Sequence, residues 1–284
     1  MFFSTLASGS SGNCAVVSNG ETHILIDAGI SAKRIQAGLT KLNMQREQLA
    51  GVLVTHEHTD HISGLSVFLK KNEIPVYASE QTARTLLCQM PALRDRIHTF
   101  RPGASFWVEA LEVMSFPTWH DAPGSVGYRL THGNTRIAVA TDLGCVTRQV
   151  ADAIEGVDLL LLEANYDRDM LHLGSYPAFL KRRIESDYGH LSNDDAGRAA
   201  AFAMQNGTKT IVLGHLSKEN NQAQRALEAV GSACAGVPGT VRLEVAPRLE
   251  PGPIYIAGDS NVEHTNFVRG KTERAVLCTS GEGI

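Results

Sequence analysis

Short apolar runs closed by polar turns alternate along this chain with patterns of helical period. "CAVVSNGETHILIDAG" predicts a hairpin of two strands about Asn19-Gly20, a pair favoured in two-residue turns. "AKRIQAGLTKLN" places Ile35, Leu39 and Leu42 on one helical face. "AGVLVTH" reads as a buried strand, and "HISGLSVFLKKN" as one helix that starts inside a cluster of histidines. "IPVYAS", "EQTARTLLCQM" and "LEVMSFPTWH" continue the pattern as strand, helix and strand. "VGYRLTHGNTRIAVATDLG" predicts a second hairpin, turning at His132-Gly133-Asn134.

The second half repeats the alternation. A helix over "VTRQVADAIEG" leads to the buried strand "VDLLLLEAN". A helix over "YPAFLKRRIES" has Pro177 near its first position, where proline is tolerated. The helix over "SNDDAGRAAAFAMQNG" has Ser192 or Asn193 as its N-cap and closes at Gly207. The strand "TKTIVLGH", the helix "NNQAQRALEAVGSACAG" and the strand "TVRLEVA" complete it. With no Pro- or Ser-rich linker, residues 1–257 read as one α/β domain. Residues 258–284 are polar and without period, and read as a disordered tail or a cloning remnant.

His56, His120, Asp142, Glu163 and His215 each end one of the apolar strands. Ligating side chains projecting from the same ends of neighbouring strands converge at one edge of a sheet, where open α/β sheets build their sites.

Composition changes this picture little. The 284 residues suffice for a substantial core, and 43% hydrophobic with 20% charged residues is ordinary for a soluble protein. A net charge of −4 weighs against a broad phosphate-contact surface, while leaving room for local basic clusters. Five scattered cysteines with no CxxC fit a reducing compartment. The opening residues lack the pattern of a signal peptide, and no apolar run reaches the length of a membrane span. A cytoplasmic protein without membrane contact is expected; its oligomeric state is open.

The chemistry concentrates in "THEHTDHISG". His56 and His58 can turn toward one ion in a tight loop, while Asp60 and His61 point apart from them and suit a second. A nitrogen and oxygen donor set without cysteine fits zinc, manganese or iron. Two sites need further donors, and His120 in "TWHDA", Asp142 in "ATDLG" and His215 in "LGHLS" supply them.

The order HxHxDH, then His, Asp and His, over residues 1–257, resembles the metallo-β-lactamase-fold hydrolases. That resemblance implies a four-layer αββα sandwich with a dinuclear metal site at one edge. It implies His56, His58 and His120 on one ion, Asp60, His61 and His215 on the other, and Asp142 between them. Asp27 in "LIDAG" matches an acid that supports the histidine loop from behind, or is only a turn former.

The superfamily spans many substrates, so fold does not give substrate. An aspartate at 142, where the lactamases usually carry cysteine or serine, keeps two metals close, which suits phosphodiester cleavage. His190 in "YGHLSNDDAG", with Glu163 in "LLEANYD", resembles the Glu–His general acid of ribonuclease Z-like phosphodiesterases; otherwise His190 only closes a helix-capping loop. "LASGSSGNC" and the stretch from Leu161 to Ala196 resemble the YycJ/WalJ-type proteins, described as 5′–3′ exonucleases on DNA.

The expectation is therefore a dinuclear phosphodiesterase in which a hydroxide bridging the ions attacks phosphorus. Asp60 holds one metal and orients that hydroxide, while His190 and Glu163 serve the leaving 3′ oxygen. Candidate substrate contacts are Ser10, Ser11 and Asn13 in a loop able to cradle phosphate, Ser192, and Arg182 in "LKRR". A plain tight loop and a solvated helix face are the rival readings of these segments. The chain lacks room for a large β-CASP insertion and shows no Gly/Pro-rich tRNA-gripping arm, which favours DNA over RNA. Two alternatives stand: a carbon-centred hydrolase of the same fold (thioesterase, lactonase or β-lactamase), and a metal-binding module without catalysis.

Overall fold

A computed structural model describes residues 1–70, 72–258 and the backbone of 276–279. The first half runs β1 (Phe2–Ala7), β2 (Cys14–Ser18), β3 (His23–Ile26), α1 (Ala32–Lys41), β4 (Leu49–Leu53), α2 (Thr59–Ile62), α3 (Leu65–Leu69), β5 (Val76–Ser79), α4 (Glu80–Gln89) and β6 (Ile97–Phe100). The second half runs β7 (Ser105–Val108), β8 (Leu111–Pro117), β9 (Val126–His132), β10 (Thr135–Ala140), α5 (Arg148–Ile154), β11 (Leu159–Glu163), α6 (Arg168–Leu173), α7 (Ala178–Ile184), α8 (Asn193–Gln205), β12 (Thr210–Gly214), α9 (Ala223–Cys234), β13 (Thr240–Val245), β14 (Tyr255–Ile256) and β15 (Val276–Thr279).

Two sheets result, ordered β14-β1-β2-β3-β4-β5-β6 and β15-β13-β12-β11-β10-β9-β8-β7. Each combines an antiparallel meander with a parallel run, β3 to β6 in one and β10 to β13 in the other. Helices cross over between the parallel strands, as parallel connections require.

The period-2 pattern explains the layering. Along β11, Leu159 and Leu161 face the core between the sheets, while Leu160 and Leu162 pack under the helices with Val150, Ala200 and Val230. Along β3, Ile24 and Ile26 face inward and Leu25 packs with Ile35, Leu39 and Phe68 of the other helical layer. Strands apolar on both faces need cover on both, and a helix–sheet–sheet–helix sandwich provides it. This is the four-layer αββα arrangement expected above.

Local details depart from the sequence reading. The first hairpin has a four-residue loop, because Ser18 pairs with His23 and the Asn19 side chain accepts from the N–H groups of Glu21 and Thr22. The second turns in two residues, with His132 opposite Thr135. The single helix expected over "HISGLSVFLKKN" is two, α2 and α3. Between them Ser63 Oγ donates to Gly29 O and Gly64 N–H to Ala28 O, drawing the chain onto the loop after β3. The edge strands β6 and β7 and the short helix α6 carried no clear pattern. Of the tail expected from residue 258, Val276–Thr279 pairs antiparallel with β13, and the rest past Gly258 lies outside the described residues.

Candidate metal centre

The C-terminal ends of the parallel strands place the chemistry. Asp27 follows β3 directly, and His56 follows the neighbouring β4 by three residues. Asp142, Glu163 and His215 stand at the ends of the adjacent strands β10, β11 and β12. His120 lies in the loop after β8; His58 caps α2, and Asp60 and His61 lie on it. Asp27, Asp142 and His215 have φ of 59°, 57° and 54°, a left-handed turn that non-glycine residues rarely make. Three such turns at the ends of strands indicate backbone bent to aim side chains.

Among the described residues, the potential ligand atoms fall into four groups within 4.8 Å of one another: His56–His58–His120, Asp60–His61–His215, His56–His61–Asp142 and Asp142–Glu163–His190–His215. Asp142 thus stands between the first two groups, with Oδ2 3.2 Å from His61 Nε2 and Oδ1 3.8 Å from His120 Nε2.

The rings are oriented from behind. His61 Nδ1 lies 2.7 Å from Asp27 Oδ2, His215 Nδ1 2.7 Å from Glu163 Oε1, and His120 Nδ1 3.0 Å from Gly189 O. His56 Nδ1 lies 3.1 Å from Thr55 Oγ1, which itself donates to Asp27. With Nδ1–H directed at an oxygen, Nε2 presents its lone pair to the site, the arrangement that metal-binding histidines use. His58 is reversed, with Nδ1 facing His120 Nε2 at 3.2 Å and Nε2 toward Asp121.

A cation fits these residues. His56 Nε2 and Asp142 Oδ2 are buried and find no hydrogen-bond partner among the described residues, although such atoms are normally satisfied. The 3.2 Å approach of Asp142 Oδ2 to His61 Nε2 therefore reflects charge proximity without hydrogen-bond geometry. Charge points the same way. Burial would raise the Asp60 and Asp142 carboxyls, yet the neighbouring His61 and His215 hold both well below the ordinary range. Burial would lower His215, but Asp142, Asp60 and Glu163 outweigh it and bring it up to about 10. His61 is likewise raised, by Asp142 and Asp27 against burial. His56 and His120, lowered chiefly by burial, stay neutral. The carboxylates of this centre demand positive charge, which protons on two rings supply when no metal does.

Glu163, although part of the fourth group, has its carboxylate fully engaged. Its Oε1 takes Nδ1–H from both His190 (2.8 Å) and His215, and its Oε2 takes the N–H groups of Leu143 and Leu191. Burial would raise this carboxyl, but the two imidazoles hold it down at about 2. Four donors fill its lone pairs, so it braces two rings. His190 is 21% exposed and opens toward solvent beside Asp142.

The candidate substrate residues divide. Ser10 and Ser11 are exposed in the loop between β1 and β2. Asn13 is buried, accepting from Gly9 N–H and donating to Asp60 Oδ2, so it ties that loop to α2. Arg182 is exposed on α7 with no ion-pair partner among the described residues, whereas Lys181 caps the end of α6 and Arg183 pairs with Asp121. Ser192 is a correction. It is fully buried, and its hydroxyl caps α8 by accepting from Asp195 N–H, so it cannot meet a substrate. Sequence reasoning missed Thr55, Asn165 (which donates to His215 O) and Gly189. Thr55 and Asn165 carry a faint signal as polar residues beside strand-end ligands; a backbone carbonyl carries none.

The family model described as "Beta-lactamase superfamily domain" matches residues 22–216. The chain is 39% identical to the exodeoxyribonuclease YycJ of Bacillus anthracis over 81% of this chain and 88% of that one. It is equally identical to the exodeoxyribonuclease WalJ of Streptococcus pneumoniae serotype 2 (strain D39), over 77% and 82%. Among solved structures, the metallo-β-lactamase-fold protein YhfI of Bacillus subtilis superposes with a TM-score of 0.69 at 17% identity, covering 90% of this chain and all of that one. The short form of human tRNase Z does so with 0.62 at 18%, over the same shares.

Proposed function

Because this chain belongs to the metallo-β-lactamase superfamily, we propose that it is a dinuclear metal-dependent exodeoxyribonuclease working from the 5′ end. The observation that carries this reading is the His190–Glu163 pair, hydrogen-bonded at 2.8 Å beside Asp142 and His215, with the Glu163 carboxylate already filled by four donors. Hydrolysis at a carbonyl carbon needs no such second acid; expulsion of an alkoxide from phosphorus does. The likeness to exodeoxyribonucleases over most of their length supports DNA as the substrate. The free thiols of Cys14, Cys88 and Cys145 support a reducing, cytoplasmic setting.

His56, His58 and His120 would hold one divalent ion and Asp60, His61 and His215 the other, with Asp142 shared; zinc, manganese and iron all suit these donors. Such a pair supplies Lewis acidity to the attacking and leaving oxygens of an in-line displacement. The protein contributes orientation and proton handling. Asp60 is 25% exposed, and its carboxylate would orient the attacking water. His190 gives its Nδ1 proton to the contact with Glu163, so Nε2 is the nitrogen that protonates the departing 3′ oxygen. Ser10, Ser11 and Asn13 line the loop proposed to receive phosphate, and Arg182 meets the backbone. The functional unit is residues 1–257.

The test is a cleavage assay with manganese or zinc on 5′-phosphorylated single- and double-stranded DNA. RNA, a chromogenic β-lactam and a thioester run beside it. Mononucleotides released from the 5′ end are expected. Turnover of the lactam or thioester with every nucleic acid intact would move the protein to the carbon-centred branch.

A further inference from the structure

Two large aromatic side chains stand at the rim of the metal centre and belong to neither core. Trp119 and Tyr188 are 42% and 55% exposed. Their rings stack with centroids 5.5 Å apart and planes within 7°. Trp119 directly precedes His120; Tyr188 precedes Gly189, whose carbonyl accepts from His120 Nδ1 at 3.0 Å. The pair is therefore tied on both sides to one ring of the ligand cluster.

The backbone beneath it is packed hard. Trp119 O accepts from Gly144 N–H, two residues past Asp142. A Cβ at Gly144 would lie 2.3 Å from the carbonyl of Asp187, the neighbour of Tyr188. Only glycine permits this contact, and it locks the 186–190 loop against the loop carrying Asp142. The aromatic pair is thus held in place, although water reaches it. Fixed, parallel and solvent-facing rings present a flat π face at the mouth of a reaction centre. A flat π ligand matches it, and every nucleobase has such a face.

Resting on the nuclease reading above, we infer that Trp119 and Tyr188 form a stacking platform for a nucleobase of the bound strand. The 5.5 Å spacing leaves no slot between the rings, so the base continues the stack on an outward face. Arg182, exposed on the helix that leads into this loop, is placed to meet the backbone of the same strand. Stacking discriminates poorly among bases, so the platform gives grip and register with little sequence preference.

The test uses the metal-loaded full chain and single-stranded 5′-phosphorylated oligonucleotides, with a 5′-phosphorylated dinucleotide of tetrahydrofuran abasic residues as a small diester lacking any base or aromatic ring. For Trp119→Ala, KM on the oligonucleotide should rise about 5- to 100-fold relative to the change on the small diester, with kcat less affected. Trp119→Phe should recover most of the loss. Scanning an abasic site along the strand should find one position where wild type and Trp119→Ala behave alike. The chain has two tryptophans, so in a Trp107→Phe background the fluorescence of Trp119 reports directly. It should be quenched by the normal strand and much less by the abasic one.

Equal loss on the oligonucleotide and the small diester would make Trp119 a prop for His120 and overturn the platform. So would normal kinetics of Trp119→Ala on DNA that the wild type degrades. No cleavage of DNA by the wild type would overturn the platform together with the nuclease reading, so the two failures are told apart.

Discussion

Glu163 lies 2.7 Å from His215 Nδ1, on the side of the ring away from Asp60, and the same carboxylate oxygen holds His190. One carboxylate thus serves a proposed metal ligand and a proposed acid. Removing His190 and removing the Glu163 charge should therefore differ. His190→Ala should lower kcat by about 10²- to 10⁴-fold with metal content intact. Glu163→Gln should add a loss of metal affinity of about 10- to 100-fold, since His215 loses its anchor. Turnover with saturating metal, metal titrations and the double variant measure the coupling; it should be strongly non-additive. Metal loss in His190→Ala would make His190 a ligand or a prop.

Asp27 supplies a cleaner test of support from behind. Its Oδ1 accepts from Thr55 N–H, and its Oδ2 takes His61 Nδ1–H. Asn at 27 tolerates the left-handed φ, so Asp27→Asn should keep the backbone. With Oδ1 on Thr55, its amide nitrogen would face His61 Nδ1 and force that nitrogen to accept. The ring proton then moves to Nε2, where the ion should bind. Metal affinity at the Asp60–His61–His215 group should fall about 10- to 100-fold without any ligand being replaced. Unchanged affinity by isothermal titration would reduce Asp27 to a turn former.

Ser192 was expected among the substrate contacts and turned out to be a cap. Ser192→Ala should cost about 1 kcal/mol of stability through α8, read from denaturant midpoints, with KM for DNA unchanged. A raised KM at constant stability would restore it to the binding surface.

What the sequence showed and hid follows from the range of the contacts. Strand-end residues such as Asp142 and His215 were legible because period-2 runs on both sides fix where strands stop. The pairing of Glu163 with His190 was legible only through likeness to a known pattern. Its second bond, to His215, depends on β11 and β12 being neighbours in the sheet. The break between α2 and α3 was hidden for the same reason: a Cβ at Gly64 would lie 1.9 Å from Ile30 O, so the loop after β3 presses on the chain where the two helices part. Trp119 and Tyr188 are ordinary aromatics in the chain, and their stacking exists only once two distant loops meet.

Charge at the centre sets the pH dependence of metal uptake. In the metal-free fold His215, raised to about 10, holds a proton at neutral pH, and His61 is raised too. An ion needs the Nε2 lone pair, so binding must expel protons. Apparent affinity should climb with pH until about 10. Titration calorimetry at pH 7 in buffers of different ionisation enthalpy should show proton release. The same shifts govern stability. A histidine raised from 6.5 to about 10 adds stability that is full below 6.5 and lost as pH rises toward 10. Glu163, lowered from 4.5 to about 2, adds stability present above 4.5 and lost as pH falls toward 2. Metal-free protein should therefore have its highest Tm between these limits and decline on the alkaline side. Metal-loaded protein should hold its Tm there, because the ion replaces the charge the protons supplied. A metal-free Tm level from pH 6.5 to 10, with no proton release on binding, would mean that both rings are neutral before the metal arrives and that the carboxylates are balanced in another way.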